Sequence, residues 1–421
     1  MIKNSKINIS TFGICVALVL IMASCNTNKE MRGKDNEDPS DEDQLLAPVE
    51  TNSANTDYEP AFDGQTRIHG IATETEYTFS VYATGLTSPW GMANLPDGRI
   101  LVTEKSGTMR LVSTSGNVSD AITGLPAVND SGQGGLLDVA VDPDFTQNRM
   151  IYWSFSQNGN NGTATAVAKG NISTDETEIE NVQVIYTALP EFSSFLHYGS
   201  RLEWDGSGNL FVSTGERSDL ASRPEAQELD AALGKVLRIT TDGAPVDDNP
   251  FIGQESVLPE IYTYGHRNVQ GLATHPVTGD LWEAEFGPRG GDEVNLIKPG
   301  NDYGWPTISY GIEYSGGQIG EGITQHEGME QPVYYWDPVV SPSGITFYSG
   351  AMIEEWKNNL FLAGLSGQHI VRLVIKDGKV IGEERLLKDE NKRFRDVLEG
   401  ADGALYALTD GGNGEMYRIG L

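Results

Sequence analysis

The sequence predicts an all-β fold, a six-bladed β-propeller with four-stranded antiparallel blades. Three observations predict it. The chain has 421 residues, frequent glycine and aromatic residues spread along its length, and long amphipathic helical patterns are scarce. One phrase recurs from about Glu76 onward: a turn built on Asp-Gly, Asp-Pro or Asn, then a β-rich run, then a small polar residue or glycine. The copies resemble one another along the whole chain, which suits a closed ring of small sheets better than tandem β-sandwiches, the rival architecture.

The six copies begin at Pro96 (PDGRILVTEK), Asp142 (DPDFTQNRMIYWSFS), Asp205 (DGSGNLFVSTGER), His275 (HPVTGDLWEAEFGP), Glu355 (EWKNNLFLAGLSG) and Gly400 (GADGALYALTDGG). Each turn supplies residues tolerant of positive φ, and each following run is rich in β-branched, Leu and aromatic residues. The strand Tyr77–Ala83 precedes the first full copy, so it is expected to complete the last blade and latch the ring. Irregular spacing places extra length around residues 186–200, 216–262 and 288–345. In a ring, long loops gathered on one face build a site at the mouth of the axial channel.

Ahead of the ring, Lys3 and Lys6 precede a mostly apolar run from Ile7 to Met22. The sequence Met22-Ala23-Ser24-Cys25 that follows resembles a bacterial lipoprotein box. The reading is a signal peptide over residues 1–24, an acidic flexible tether over 25–70 and the propeller over 71–421. Cys25 becomes a lipid anchor to the bacterial envelope, periplasmic or surface-facing, and the only attachment to membrane. The other cysteine, Cys15, lies in the removed segment, so no intramolecular disulfide remains. A net charge of −31 excludes nucleic acid and anionic membrane as partners.

Chemistry concentrates in a few loops. His197, in Phe195-Leu196-His197-Tyr198-Gly199-Ser200-Arg201, stands just before a strand copy. Imidazole is the side chain best suited to take a proton near neutral pH, and Glu216 is placed to orient it. A loop histidine can equally be structural. Arg267, Asn268 and Gln270 combine a planar guanidinium with two amides, which suits carboxylate or quinone oxygens. Gly287-Pro288 offers backbone carbonyls near the acid pair Asp292 and Glu293, a donor set suited to Ca2+, although the spacing is not that of an EF-hand. Gln133 lies among three glycines that would let backbone approach a flat ligand. Arg393 and Arg395 alternate on a strand and would present two charges on one face. HExxH, GxSxG, CxxC and Walker motifs are absent from the sequence.

Taken together, GQGGLLDVAVDPDF, HYGSRL, GKVLRI, YGHRNVQGL, EFGPRGGDEVNLIKPGNDYGWP, PSGITFYSG and RFRDV resemble the glucose/sorbosone dehydrogenase family, in order, from about Thr84 to Ile419. The resemblance implies quinoprotein chemistry with pyrroloquinoline quinone (PQQ) and Ca2+ on a six-bladed propeller. It implies His197 as general base toward the anomeric hydroxyl and Arg267 near the reactive quinone carbonyl. Asn268, Gln270, Gln133, Arg393 and Arg395 become cofactor contacts, and Trp336 an aromatic flanking cofactor and sugar. The carbonyls of Gly287 and Pro288 become Ca2+ ligands, with Glu293 and its neighbours a second calcium region. Two departures stand out. Ser366 replaces a cofactor-contacting lysine of the soluble glucose dehydrogenase branch, which points to the aldose sugar dehydrogenase branch. Ser200 replaces the usual glycine after the base, and Glu216 an aspartate.

The function expected is oxidation of an aldose to its lactone, with electrons passed from the cofactor to an unknown acceptor. The alternatives are a non-catalytic propeller that binds glycans or proteins at the cell surface, and a calcium-dependent lactonase.

Overall fold

The computed structural model describes residues 46–421. The expected signal peptide, the expected lipid-anchor cysteine and the first part of the expected tether lie outside the described residues.

Among the described residues six sheets follow one another along the chain, antiparallel throughout but for one added parallel pair at the edge of the fifth. The chain enters through β1 (Leu46–Pro48), β2 (His69–Gly70) and β3 (Thr78–Leu86). The first blade comprises β4 (Pro89–Asn94), β5 (Ile100–Glu104) and β6 (Thr108–Val112). The second comprises β7 (Leu136–Val141), β8 (Met150–Asn158), β9 (Thr163–Ile172) and β10 (Ile179–Thr187). The third is β11 (Leu202–Trp204), β12 (Leu210–Ser213), β13 (Lys235–Ile239) and β14 (Ile261–Tyr264). The fourth is β15 (Val269–Thr274), β16 (Leu281–Glu285), β17 (Asp292–Leu296) and β18 (Tyr334–Trp336). The fifth holds β19 (Pro342–Phe347), β20 (Leu360–Gly364), β21 (His369–Lys376) and β22 (Lys379–Leu386). The sixth holds β23 (Phe394–Glu399), β24 (Leu405–Thr409) and β25 (Gly414–Gly420), completed by β3.

The repeated phrase marks one place in every blade, the turn from the first strand to the second. At the first copy Gly98 takes φ +85° and Leu95 pairs through its N–H with Arg99 O at 2.8 Å. At the third, the Asp205 carboxylate accepts Ser207 N–H at 2.7 Å and Asn209 N–H at 2.9 Å. First strands of successive blades lie against one another, and β23 returns to β4, which closes the ring. The latch is β3, paired with β25 from Leu86↔Gly414 to Gly420↔Thr78. Closure leaves few sheet edges open.

The core lies in the seams between neighbouring blades. Trp153, Phe155, Leu101 and Met109 fill the first seam; Leu210, Val212 and Tyr152 the second; Trp282, Tyr334 and Leu362 the fourth. At the axis, buried Arg201 bridges Asp138 and Asp396, each at 3.1 Å, and so ties blades two, three and six. Asp396 also accepts Met92 N–H at 2.8 Å, from blade one.

Two details depart from the expectation. The first blade has three regular strands, because the polar stretch Ser113–Asp120 turns tightly and its return reaches β6 only through isolated bridges, Val112↔Val118 and Met109↔Ile122. And residues 46–70, expected as tether, pack on the ring: β1 and β2 extend the fifth blade beyond β22, Gln65 is fully buried, and Glu50 pairs with Arg385 at 2.9 Å. Their polar composition is matched by polar partners, which a hydropathy pattern does not show. Among the described residues no helix is long and apolar enough to cross a membrane.

Candidate active site

One face of the ring carries a cavity of about 650 Å³. Its wall includes His197, Gln133, Arg267, Gln270, Gly287, Pro288, Asp292, Arg393 and Arg395. Nine of the sequence-predicted residues therefore meet, from five different blade connections.

His197 sits in the loop between β10 and β11 with φ +47° and is buried. Its Nδ1 lies 2.6 Å from Glu216 Oε1. An ionised carboxylate only accepts, so Nδ1 carries the proton and Nε2 keeps its lone pair. Burial, reinforced by the nearby Arg267 charge, lowers the imidazole pKa to about 4, against the pull of Glu216. The ring is neutral at physiological pH, the state a proton acceptor needs. Its backbone is pinned too: His197 N–H donates to Gln133 Oε1 at 2.8 Å. The Gln133 loop can press that close because Gly132 (φ +58°) has no Cβ; one would stand 2.5 Å from Phe195 O. Gly132 thus permits loop-on-loop packing while itself lining the cavity.

Arg267 is buried beside the turn after β16. Its Nη1 donates to Phe286 O at 2.9 Å and Gly287 O at 2.7 Å, and its Nε has no partner. The Gly287 carbonyl expected for a cation already accepts a guanidinium, leaving one lone pair; Pro288 O takes no protein donor among the described residues. Asp292 supports the turn by accepting Gly287 N–H (2.8 Å), Val340 N–H (2.8 Å) and Ser341 N–H (2.7 Å), while burial pushes its pKa up to about 7.

Arg393 and Arg395 do share a face. Arg393 pairs with Asp410 at 2.9 Å; Arg395 reaches Gln270 Oε1 at 3.2 Å and has a buried, unpartnered Nε. Two expected contacts lie elsewhere. Asn268 is fully buried behind the wall, accepting Gly199 N–H at 3.0 Å, and so braces the His197 loop. Trp336 is not in the cavity wall: it is packed in the seam between blades four and five, its indole N–H on Glu383 at 3.3 Å. The aromatics at the cavity are Trp90, Phe286 and Tyr314, and Arg201 (4.3 Å) and Arg395 (5.7 Å) stand over Trp90.

Sequence reasoning missed Lys105, Arg289 and Asn55, all in the wall. Lys105 lies in a tight turn where lysines are ordinarily solvated, and Asn55 in the supposed tether; the sequence held no signal for either. With them the cavity presents five cationic side chains, Lys105, Arg267, Arg289, Arg393 and Arg395, against the carboxylates of Asp292 and Asp410. That concentration of positive charge sits in a chain of net charge −31.

Directly behind the Arg267 turn lies the reverse. Glu283, Glu285 and Glu293 cluster with His266 on β16, β17 and the preceding loop. His266 Nδ1 is 3.5 Å from Glu285 and 3.8 Å from Glu283. Ligand atoms of His266, Glu283 and Glu285 lie within 4.8 Å of one another, and Glu283 Oε2 and His266 Nδ1 are buried without partners. Burial, then the charge of Glu285, holds the Glu283 and Glu293 carboxyls well above the usual carboxylate range.

The sequence model of the family described as Glucose / Sorbosone dehydrogenase matches residues 86–418. Aldose sugar dehydrogenase YliI of Escherichia coli (strain K12) is 41% identical over 337 residues, 79% of this chain and 90% of that protein. The crystal structure of the soluble aldose sugar dehydrogenase from Escherichia coli in the apo-form superposes with TM-score 0.78 at 39% identity, covering 82% of this chain and 99% of that one. The PQQ-bound form of aldose sugar dehydrogenase from Streptomyces coelicolor gives TM-score 0.68 at 29% identity, over 83% and 99%.

Proposed function

Because the chain belongs to the glucose/sorbosone dehydrogenase family, we propose that it oxidises aldose sugars at the anomeric carbon to lactones, with PQQ and Ca2+ as cofactors. It is an oxidoreductase acting on sugar CH–OH groups. The observation that carries the cofactor assignment is the cationic cavity with two buried guanidinium nitrogens, Arg267 Nε and Arg395 Nε, left without acceptors. An orphaned buried donor is costly, and a tricarboxylate quinone satisfies several at once.

The residues fit the group. Arg393, Arg395 and Lys105 would hold carboxylates, Arg267 a ring carbonyl, and Trp90 offers an aromatic face. When bound, PQQ supplies the two-electron acceptor for the anomeric C–H. His197 Nε2 takes the proton of the anomeric hydroxyl. Glu216 holds the ring in the tautomer that leaves Nε2 bare and stabilises the imidazolium formed. Gln133 fixes the height of the histidine loop.

For Ca2+ two positions have suitable donors: the Pro288 carbonyl with the free lone pair of Gly287, at the cavity, and the nest of Glu283, Glu285 and Glu293 behind it. A dication in the nest would relieve the crowded carboxyls of buried Glu283 and Glu285 and half-buried Glu293; one at the turn would crowd Arg267. The lipoprotein box at Cys25 makes this an envelope enzyme, which mass analysis of the mature N-terminus tests. The activity test uses purified protein with PQQ, Ca2+, an aldose panel and an artificial dye. Dye reduction with lactone formation is expected; no reduction with any aldose removes the proposal.

A further inference from the structure

The segment between β1 and β2, residues 49–68, lies ahead of the family-matched region, which starts at residue 86. It leaves the outer edge of the fifth blade, travels to the cavity mouth and returns. Its two limbs are fastened by half-buried Arg67 and buried Gln65. The Arg67 guanidinium donates to Glu50 O (3.1 Å), Asn52 O (2.8 Å) and Asp337 O (2.7 Å). Gln65 donates to Pro332 O at 2.9 Å.

At the apex, the buried Asp337 carboxylate is surrounded by the segment. It accepts Asn55 N–H (2.9 Å), Asn55 Nδ2–H (2.7 Å), Thr56 N–H (3.0 Å) and the Thr56 hydroxyl (3.0 Å). Asn55 Oδ1 in turn accepts Arg289 Nε–H at 3.0 Å. Asn55 and Arg289 both belong to the cavity wall, and Asn55 is half-buried.

We propose that this strap is a substrate-specificity element and that the Asn55 amide binds hydroxyls of the sugar on the side remote from the anomeric carbon; this rests on the sugar dehydrogenase reading above. A primary amide has two N–H donors and two acceptor lone pairs. One donor goes to Asp337 and one lone pair to Arg289, which locks the amide in orientation. One donor and one acceptor remain, side by side, the complement of two vicinal hydroxyls. Because the amide is held before the sugar arrives, little ordering cost falls on binding. His197 is buried at depth while Asn55 is at the rim, so Asn55 touches the part of the sugar that does not react. Its contribution is the same in ground and transition states and is read in KM.

The experiment measures kcat and KM over an aldose panel for the PQQ- and Ca2+-loaded wild type and Asn55→Ala, with hydrogen exchange of residues 50–57 with and without sugar. Asn55→Ala is expected to raise KM about threefold to tenfold with kcat within about twofold, the loss of one or two neutral hydrogen bonds. Sugar is expected to slow exchange in the strap of the wild type. An Asn55→Ala enzyme with wild-type KM for every aldose, or a strap whose exchange ignores sugar, overturns the assignment while the dehydrogenase reading stands. A wild type that turns over no aldose removes the reading and, with it, this assignment.

Discussion

Two sites of opposite charge stand back to back across a single turn. In front, the cavity gathers five cations and leaves two guanidinium nitrogens without acceptors among the described residues; behind, buried Glu283 and Glu285 with half-buried Glu293 leave the Glu283 Oε2 without a donor. They are mechanically joined, since Glu285 Oε2 in the nest accepts the backbone N–H of Arg267 at 2.6 Å, and Arg267 reaches forward to Gly287 O. One half lacks an anion and the other a cation. The difference supports the proposal that each binds a ligand of opposite charge, because a purely structural network closes on itself. On the proposed reading the two cofactors act together: a cation in the nest would fix the strand that aims Arg267.

The sharpest break between the halves is chemical. His197→Ala removes the one neutral base at the cavity without touching its cations. Turnover of loaded enzyme is expected to fall by about 10²–10⁴, with PQQ affinity unchanged by calorimetry. Turnover near wild type would end the base assignment. Next in size, Arg395→Met deletes a buried cation whose charged hydrogen bonds are worth about 1.5–3 kcal/mol, so the dissociation constant for PQQ should rise roughly tenfold to a hundredfold. Binding that ignores the substitution would move the anion elsewhere.

The nest gives its own reading. Ca2+ at a hundred times its dissociation constant should stabilise the protein by about 2.7 kcal/mol, and Glu293→Gln should abolish most of that gain in thermal melts. The halves also titrate in opposite senses. His197, lowered to about 4, lets the unfolded chain bind a proton the native state refuses, so stability is lost as pH falls from the free imidazole value toward 4. Glu283 and Glu293, raised by burial, keep protons the unfolded chain releases, so stability is lost as pH rises above the free carboxyl value. Between the free carboxyl and free imidazole values the two senses oppose; above the imidazole value only the carboxyls act, so metal-free protein should lose stability as pH rises there, and Ca2+ should flatten that alkaline side of a melting-temperature profile.

What was legible in the sequence follows from how each feature is written. The blades were readable because each first-to-second-strand turn needs the same residue types, so the fold repeats in the letters. His197, Arg267 and the arginine pair were readable because each is polar chemistry placed at a strand end. Lys105 and Asn55 were not, since their roles come from which loops the ring brings together. Trp336 was misplaced: period-two alternation allows a strand residue either face, and the side chain went to the seam, where Glu383 takes its indole N–H. The strap escaped because its anchors are hydrogen bonds between polar groups, which composition reads as solvated.

A last contrast is backbone strain. Three non-glycine residues at or beside the cavity have positive φ, His197 at +47°, Ser200 at +90° and Ser341 at +53°, whereas β16 and β17 of the nest have none. Such geometry is ordinary where function over-determines a loop. Ser200 is fully buried, its N–H donates to Ser213 O at 2.7 Å and its carbonyl accepts the Ser154 hydroxyl at 2.6 Å, so two strands hold it in place. Its own hydroxyl makes only one bond, to Tyr198 O at 3.2 Å. Replacing it with glycine removes the clash of a Cβ at that φ but restores freedom to the unfolded chain, and the two terms are of similar size, about 1 kcal/mol each. Ser200→Gly should therefore change stability by less than about 1 kcal/mol and leave kcat unaltered, because Gln133 and Glu216 rather than Ser200 fix the imidazole. A large loss of turnover in that variant would mean that the strain at Ser200, and not the two hydrogen bonds to His197, sets the position of the base.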